Sequence, residues 1–332
     1  RPALILANLG TPSAPTARAV RPFLREFLSD RRIVETHPLL WRPVLEGIIL
    51  RVRPRASAAK YATIWRPGEE NSRSGSPLMH YSQRQGELLQ EELGESVQVR
   101  VAMRYGQPAL RRVMGELMEA GCHRIALIPL YPQYAASSAG TVVDEAARFI
   151  LASRNQPELR TIRSFETAPA YIEALATALE QHWQVHGRPD PAAGERLLLS
   201  FHSIPQAMHD AGDPYRAECE RTAQLLSQRL DLPEGLAELT FQSVFGPAAW
   251  IGPATIDTVR ELGRAGCPRL DVICPGFVSD CLETLEEINQ LNRETFTTAG
   301  GGSFHYVPWG NDSDGAIATL AQQARKVLAG WI

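Results

Sequence analysis

Three segments of this chain recur in the same order in its two halves. ILANLGTP (5–12), RYGQP (104–108) and AGCHRIALIP (120–129) are answered by LLSFHSIP (198–205), VFGPA (244–248) and AGCPRLDVICP (265–275). Between them, short apolar runs alternate with helix-length amphipathic stretches. Strands are predicted at 3–8, 97–103, 124–130, 159–165, 195–201, 237–243, 269–274 and 304–308. Helices are predicted near 16–29, 38–50, 80–94, 108–120, 140–153, 168–187, 213–230, 255–265, 279–292 and 313–330. Such alternation builds βαβ units and parallel sheets, and a repeat this long is not a solenoid. The reading is an α/β protein of two similar lobes, each a parallel sheet flanked by helices, facing each other over a cleft. The first lobe is placed at 1–160, joined by the C-terminal helix 313–330, and the second at 161–312. A length of 332 residues suits two cores better than one.

Charge excludes some partners. The net charge is -3 and the pI is near 6.3, so no global field recruits nucleic acid. Lysine occurs only at 60 and 326; arginine, whose planar fork suits carboxylates, supplies the other side-chain cations. Five cysteines (122, 219, 267, 274, 281) form no CxxC pair. They read as reduced and buried, and no iron–sulfur cluster is expected of them. No run reaches the roughly 18 apolar residues a transmembrane helix needs. PLLWRPVLEGIILRV (38–52) is apolar beside arginines. It reads as a core-facing helix, or as the lip of an apolar pocket or a surface touching a membrane. The loops 66–76 and 294–303 read as surface excursions.

The second half carries the chemistry. In open α/β sheets ligands sit beyond the carboxyl ends of the strands. His202 stands where strand 195–201 runs out, flanked by Ser200 and Ser203. VICPGFVSDCLETLEEI (272–288) carries another strand across Pro275-Gly276 into a helix bearing Glu283, Glu286 and Glu287. Glu283 and Glu287 are four apart and share a helix face. Asp280 is read as near that face, or as a helix cap. Imidazole with carboxylates can hold a divalent metal or move protons. The first half offers Leu9 where the second has His202. Tyr61, Tyr105, Tyr131, Tyr134, Phe245 and Trp250 are read as candidates to line a cleft for a flat, conjugated ligand. Arg53 and Arg55 are candidates to clamp its carboxylates. No GxGxxG follows strand 3–8, and no P-loop or GxSxG elbow occurs, which disfavours nucleotide cofactors and serine hydrolysis.

The chain resembles the ferrochelatases, in their bacterial protoporphyrin-type branch. The likeness is carried by LANLGTP (6–12), RPFLREFLSDRRIVE (21–35), SAAKYATIW (57–65), GSPL (75–78), MRYGQP (103–108), LIPLYPQYAASS (127–138), SFHSIP (200–205), FQSVFGPAAWIGPAT (241–255), CPGFVSDCLETLEEI (274–288) and VPWGNDSDGAIATLA (307–321). The resemblance implies two Rossmann-like lobes of chelatase type. It also implies insertion of Fe²⁺ into protoporphyrin IX, giving protohaem with release of two protons, the last step of haem biosynthesis. Iron is then a substrate, and no cofactor is required. By the same resemblance His202 and Glu283 are catalytic, and His202, Glu283 and Glu287 are the metal contacts, the acids lying on a π-distorted helix. Leu9, Arg53, Arg55, Tyr61, Ser76 and Trp250 are porphyrin contacts. Leu9 stands where coproporphyrin-using relatives have tyrosine, which favours protoporphyrin. The expected place is the cytoplasm, with peripheral contact at the inner membrane or with a haem acceptor. The rivals are a coproporphyrin III ferrochelatase, another tetrapyrrole metal chelatase, and a non-catalytic porphyrin- or haem-binding protein. Metal competition, porphyrin choice and binding without metallation separate them.

Overall fold

A computed structural model of the protein describes residues 1–332. The chain divides into two compact units. Unit one is Arg1–Tyr131, Ala135–Ser164 and Leu320–Ile332, and unit two is Pro132–Tyr134 with Phe165–Thr319. Unit one runs β1 (Ala3–Gly10), α1 (Ala17–Leu28), α2 (Pro38–Val44), α3 (Leu50–Ile64), α4 (Pro77–Leu93), β2 (Gln98–Tyr105), α5 (Leu110–Glu119), β3 (Arg124–Pro129), α6 (Thr141–Ala152) and β4 (Glu158–Thr161). Unit two runs α7 (Pro169–His186), β5 (Arg196–His202), α8 (Gln206–Asp210), α9 (Tyr215–Arg229), β6 (Ala237–Gln242), α10 (Thr255–Arg264), β7 (Arg269–Ile273), α11 (Arg293–Ala299) and β8 (Ser303–Val307). Helix α12 (Asp314–Val327) begins in unit two and ends in unit one. No helix is long and apolar enough to cross a membrane.

Each unit holds one four-stranded sheet, ordered β2-β1-β3-β4 and β6-β5-β7-β8. All pairings are parallel. The central strands show why. Ala3, Leu4, Ile5, Leu6 and Ala7 of β1 are fully buried, as are Leu197, Leu198 and Phe201 of β5. A strand apolar on both faces needs helices on both faces, which parallel crossovers supply. In unit one, Ala3, Ile5 and Ala7 pack with Val113, Met114 and Leu117 of α5 and Val142 and Ala146 of α6. In unit two, Leu198, Leu270 and Val272 pack with Val259 of α10, Ile288 and Phe296. Two Rossmann-like lobes are thus what the chain forms.

Three expectations change. The helix begun at 38 does not stop at 50. A π-helical stretch at Leu45–Ile49 leads into α3, which continues to Ile64 through Pro54. Proline lacks the N–H that would bond four residues back and normally breaks a helix, so the sequence hid this extension. Residues 294–299 of the supposed loop 294–303 are helical, within α11. The loop 66–76 is pinned rather than loose. Trp65 Nε1 donates to the Glu69 carbonyl at 2.9 Å, and Arg66 N donates to the Gly75 carbonyl at 2.8 Å. A Cβ at Gly75 would lie 2.1 Å from Trp65 Nε1, so only glycine closes the loop against that ring.

Candidate active site

In unit two the candidate residues gather beyond the carboxyl ends of β5, β6 and β7. His202 is the last residue of β5 and pairs with Gln242, the last of β6. Its Nδ1 lies 2.5 Å from the Ser203 carbonyl oxygen. A carbonyl can only accept, so Nδ1 carries the proton and Nε2 of the neutral ring keeps its lone pair. The turn that follows is rigid. Ser203 N donates to the Gln242 carbonyl at 2.8 Å, Ser203 Oγ donates to the Ile251 carbonyl at 2.8 Å, and Pro205 bridges Trp250. Phe277, from the loop after β7, lies 6.5 Å from the imidazole, centroid to centroid.

The acids come from a π-helical segment, Glu283–Asn292. Such i→i+5 stretches are rare and concentrate at functional sites. Gln242 Nε2 donates to the Glu283 carbonyl at 2.8 Å, tying the segment's first turn to β6. Ser243 then grips Glu287 twice. Its N–H donates to Oε1 and its hydroxyl to Oε2, both at 2.6 Å. Burial raises the Glu287 carboxyl above its ordinary range. The Ser243 bonds and the nearby His202 oppose the rise, and the Glu283 charge adds to it. A carboxyl held up in this way, beside an imidazole, can take a proton and give it back.

Asp280 does not share a helix face with Glu283, because it precedes the helix. Thr284 Oγ1 at 2.7 Å and the Tyr306 hydroxyl at 2.5 Å donate to its Oδ1, and Asn311 Nδ2 donates to Oδ2 at 2.7 Å. Neither reading for Asp280 matches this geometry: its oxygens accept from three side chains, and Leu282 stands at the N-cap with no side-chain capping bond. Trp250 sits in the loop after β6, against Phe245 at 4.8 Å between centroids, with its Nε1 donating to the Phe245 carbonyl at 2.9 Å.

The other candidates lie in unit one. Leu9 and Tyr61 both pack, half-buried, against the cluster of Val20, Phe23, Leu28 and Leu50. Arg53 and Arg55 are exposed on α3. Ser76, expected as a porphyrin contact, is only 2% exposed, and its hydroxyl accepts from Thr11 Oγ1 at 2.8 Å. That bond ties the start of α4 to the end of β1. Tyr105 is also misread as a cleft-lining ring: it is fully buried, and its hydroxyl donates to Asp30 at 2.8 Å. The stretch 38–52 is core-facing on one side only. Leu45 and Leu50 are buried, but Leu39 is 78% and Val52 67% exposed. All five cysteines are buried and free. Burial pushes the thiols of Cys219, Cys267, Cys274 and Cys281 up.

Sequence reasoning passed over Gln242 and Ser243. The signal was there in FQS, a polar pair ending a buried strand. Nothing local announces that Ser243 adopts a left-handed φ of 65°, which turns its N–H toward Glu287.

Comparison with known proteins identifies the family. The ferrochelatase family profile matches residues 1–328. A ferrochelatase of Aromatoleum aromaticum is 49% identical, over 100% of this chain and 89% of its own. One of Chromobacterium violaceum is 47% identical over 99% and 88%. Among solved structures, SirB from Bacillus subtilis with Fe³⁺ matches with a TM-score of 0.55 at 14% identity, covering 77% of this chain and 93% of that one. At that identity the likeness shows the fold alone, and the fold is chelatase-like. The full-length match and the identities settle the family: the chain belongs to the ferrochelatases, enzymes that insert a metal ion into a porphyrin.

Proposed function

We propose that the porphyrin is protoporphyrin IX and the metal Fe²⁺, so that the product is protohaem and two protons are released. The observation that carries the chemistry is the contact of His202 Nδ1 with the Ser203 carbonyl: with Nδ1 so committed, Nε2 is the imidazole's lone pair able to meet a pyrrole N–H or the iron. Insertion replaces two N–H bonds with bonds from the ring nitrogens to iron, so two protons must leave as the dication enters and charge is conserved. His202 accepts at Nε2. Glu283 is its partner, and Glu287, with its raised carboxyl, passes protons onward or meets the cation. His202, Glu283 and Glu287 are the proposed metal contacts, and no resident cofactor is required.

Leu9 supports the choice of porphyrin. It is apolar and packed on an apolar cluster, which suits a vinyl-bearing edge better than the additional carboxylates of coproporphyrin III. Leu9, Tyr61 and Trp250 are the proposed ring contacts. Arg53 and Arg55 are the proposed partners of the propionates. The exposed leucines and valines of 38–52 are proposed to make peripheral membrane or haem-acceptor contact.

The test is anaerobic metallation by the purified protein, followed by visible absorbance, with the two porphyrins supplied separately and in competition. Fe²⁺-dependent loss of the free-base bands of protoporphyrin, faster than for coproporphyrin and dependent on His202, is expected. A preference for coproporphyrin overturns the substrate assignment. Binding without metallation of either overturns the reaction.

A further inference from the structure

We infer that His182, His186 and His305 form a binding site for a divalent transition-metal ion of borderline softness, separate from the metallation site, with Asp271 holding His305 from behind.

Two of the three stand four apart on α7, which places them on one helix face, the spacing helices use to offer two imidazoles to one ion. The third comes from β8, where His305 pairs in register with Asp271 of β7. The rings converge: their centroids lie 4.5 Å apart for His182–His186, 4.5 Å for His186–His305 and 5.0 Å for His182–His305. Imidazoles sharing an ion at Zn–N of about 2.0–2.1 Å have nitrogens roughly 3.4 Å apart in tetrahedral geometry. In the structure, ligand atoms of His182, His305 and Asp271 already lie within 4.8 Å of one another; His186 stands outside that set and its ring would have to swing to complete it.

The support behind the rings has the form metal sites use. His305 Nδ1 lies 2.9 Å from Asp271 Oδ1. The carboxylate accepts, so Nε2 of His305 keeps a lone pair for a metal, as in carboxylate–histidine–metal arrangements. Asp271 itself is fully buried and is spoken for by Arg269, which donates to both its oxygens at 3.0 and 2.7 Å, and by Trp183 Nε1 at 3.0 Å. It therefore orients rather than ligates. Arg269 also donates at 2.8 Å to the carbonyls of His186 and Gly187, locking the end of α7 against β7. One atom of the cluster is left over. Nε2 of His182 is buried without a hydrogen bond, 3.4 Å from Asp271 Oδ1. That long contact leaves the buried atom poorly satisfied, which is costly, and an ion between the rings would satisfy it better. Exposed His186 gives a way in from solvent.

Three nitrogens and no free carboxylate select ions such as Zn²⁺, Co²⁺, Ni²⁺ or Cu²⁺ over Mg²⁺ or Ca²⁺. The cluster is distinct from the metallation site. Asp271 pairs with Leu197 of β5, and His202 lies five residues further along that strand, roughly 16 Å away at about 3.3 Å per residue.

The test is Co²⁺ titration of full-length His202→Ala protein, read by ligand-field absorbance and equilibrium dialysis, so that the metallation site contributes least. One Co²⁺ per chain is expected, in a nitrogen-rich site that Mg²⁺ does not compete for. In that background His186→Gln should weaken binding at least tenfold, and His182→Gln with His186→Gln should abolish it. As a second reading, Zn²⁺ should raise the melting temperature of the His202→Ala protein, by less when His186→Gln is added and not at all when His182→Gln and His186→Gln are both added. No stoichiometric Co²⁺ in the His202→Ala protein, or binding unchanged by the paired substitutions, overturns the inference. Neither result bears on metallation at His202.

Discussion

Strand for strand, β1, β2, β3 and β4 of unit one correspond to β5, β6, β7 and β8 of unit two. The register makes the correspondence residue-specific. Met103 bridges Ala109 and bonds the Pro108 carbonyl, and Phe241 bridges Ala254 and bonds the Pro253 carbonyl. Arg104 therefore answers Gln242, Tyr105 answers Ser243, and Leu9 answers His202. The same link is then made twice. Arg104 donates to the Thr141 carbonyl at 3.0 Å, just past the π-helical Ala136–Gly140, as Gln242 donates to the Glu283 carbonyl. What differs is what fills the strand end. In unit one, Arg104, the Tyr105 hydroxyl and Thr141 all donate to buried Asp30, and the polar groups are closed on each other. In unit two the smaller Ser243 leaves a glutamate where unit one has a phenol and an aspartate, with an imidazole beside it. One scaffold thus makes a closed ion pair in one unit and, in the other, a grouping of imidazole and carboxylates, according to the residues at three strand ends.

The largest effect should come from erasing that difference. His202→Ala should lower metallation turnover by about 10²–10⁴-fold, the usual worth of a positioned general base, with porphyrin affinity near normal by fluorescence titration. Leu9→Ala, the matching change in unit one, should instead act on porphyrin affinity and spare turnover to within about tenfold. Equal losses of turnover at both positions would break the contrast. Glu283→Gln should follow His202→Ala; unchanged turnover would make it a surface acid.

Next come the buried ion pairs, one in each unit. Asp30 with Arg104 and Asp271 with Arg269 are both buried. Burial raises each carboxyl, but hydrogen bonds, chiefly from Thr141 to Asp30 and from Arg269 to Asp271, outweigh it, so both end below their ordinary value of 3.8. A depressed carboxyl contributes stability above its unfolded value, and that contribution is lost as pH falls through the lower folded value. Asp30→Asn and Asp271→Asn should each cost about 3–5 kcal/mol, since each leaves a buried guanidinium without its counter-charge. Chemical denaturation at neutral pH measures this. Much smaller losses would mean that the pairs are solvated in solution.

How much of this was legible follows the physics of each feature. Strand position is written locally, in apolar runs such as LILAN and LLLSF, and the order of elements then leaves little choice of topology. His202 was visible because it is a polar residue ending such a run, at the carboxyl end of its strand, where open α/β sheets place their ligands. The second repeat segment was not well read. RYGQP was matched to VFGPA, but the pairing matches Pro108 with Pro253, so most of the loop between Ser243 and Pro253 has no counterpart in unit one. Sequence similarity favoured an aromatic-glycine pair over the true anchor, a proline carbonyl bonded to the strand. The Ser243 grip on Glu287 was illegible for a different reason: it depends on one backbone torsion and on a contact between residues 44 apart in the chain.

A subtler difference concerns protons. Glu287 has a raised carboxyl, the opposite of Asp30. Its protonated form is the favoured one in the fold. That contribution is complete below its unfolded value of 4.5 and is lost as pH rises through the raised folded value. Glu287→Gln removes the group that must ionise. Its unfolding free energy relative to the unaltered protein, from denaturant melts at each pH, should therefore rise with pH across that window, by at most about 1.4 kcal/mol per pH unit for one proton. Asp30→Asn should show the reverse trend in the acid range. A flat difference for Glu287→Gln would mean that the carboxyl is solvated and ionises as in the unfolded chain.

The smallest change tests the same carboxyl by another route. Ser243→Ala deletes the hydroxyl bond to Oε2 and keeps the N–H bond to Oε1. The loss in stability should be about 1 kcal/mol. The lost bond favours the charged form, so Glu287 should move further up. The acid limb of the pH–rate profile should then shift to higher pH, while the plateau rate falls less than about tenfold. Tyr105→Phe in unit one removes the equivalent hydroxyl from Asp30; it should cost comparable stability and leave the profile in place. A limb that stays put in Ser243→Ala would show that Glu287 is not the group whose titration limits turnover, and the proton path would then have to run through Glu283 alone.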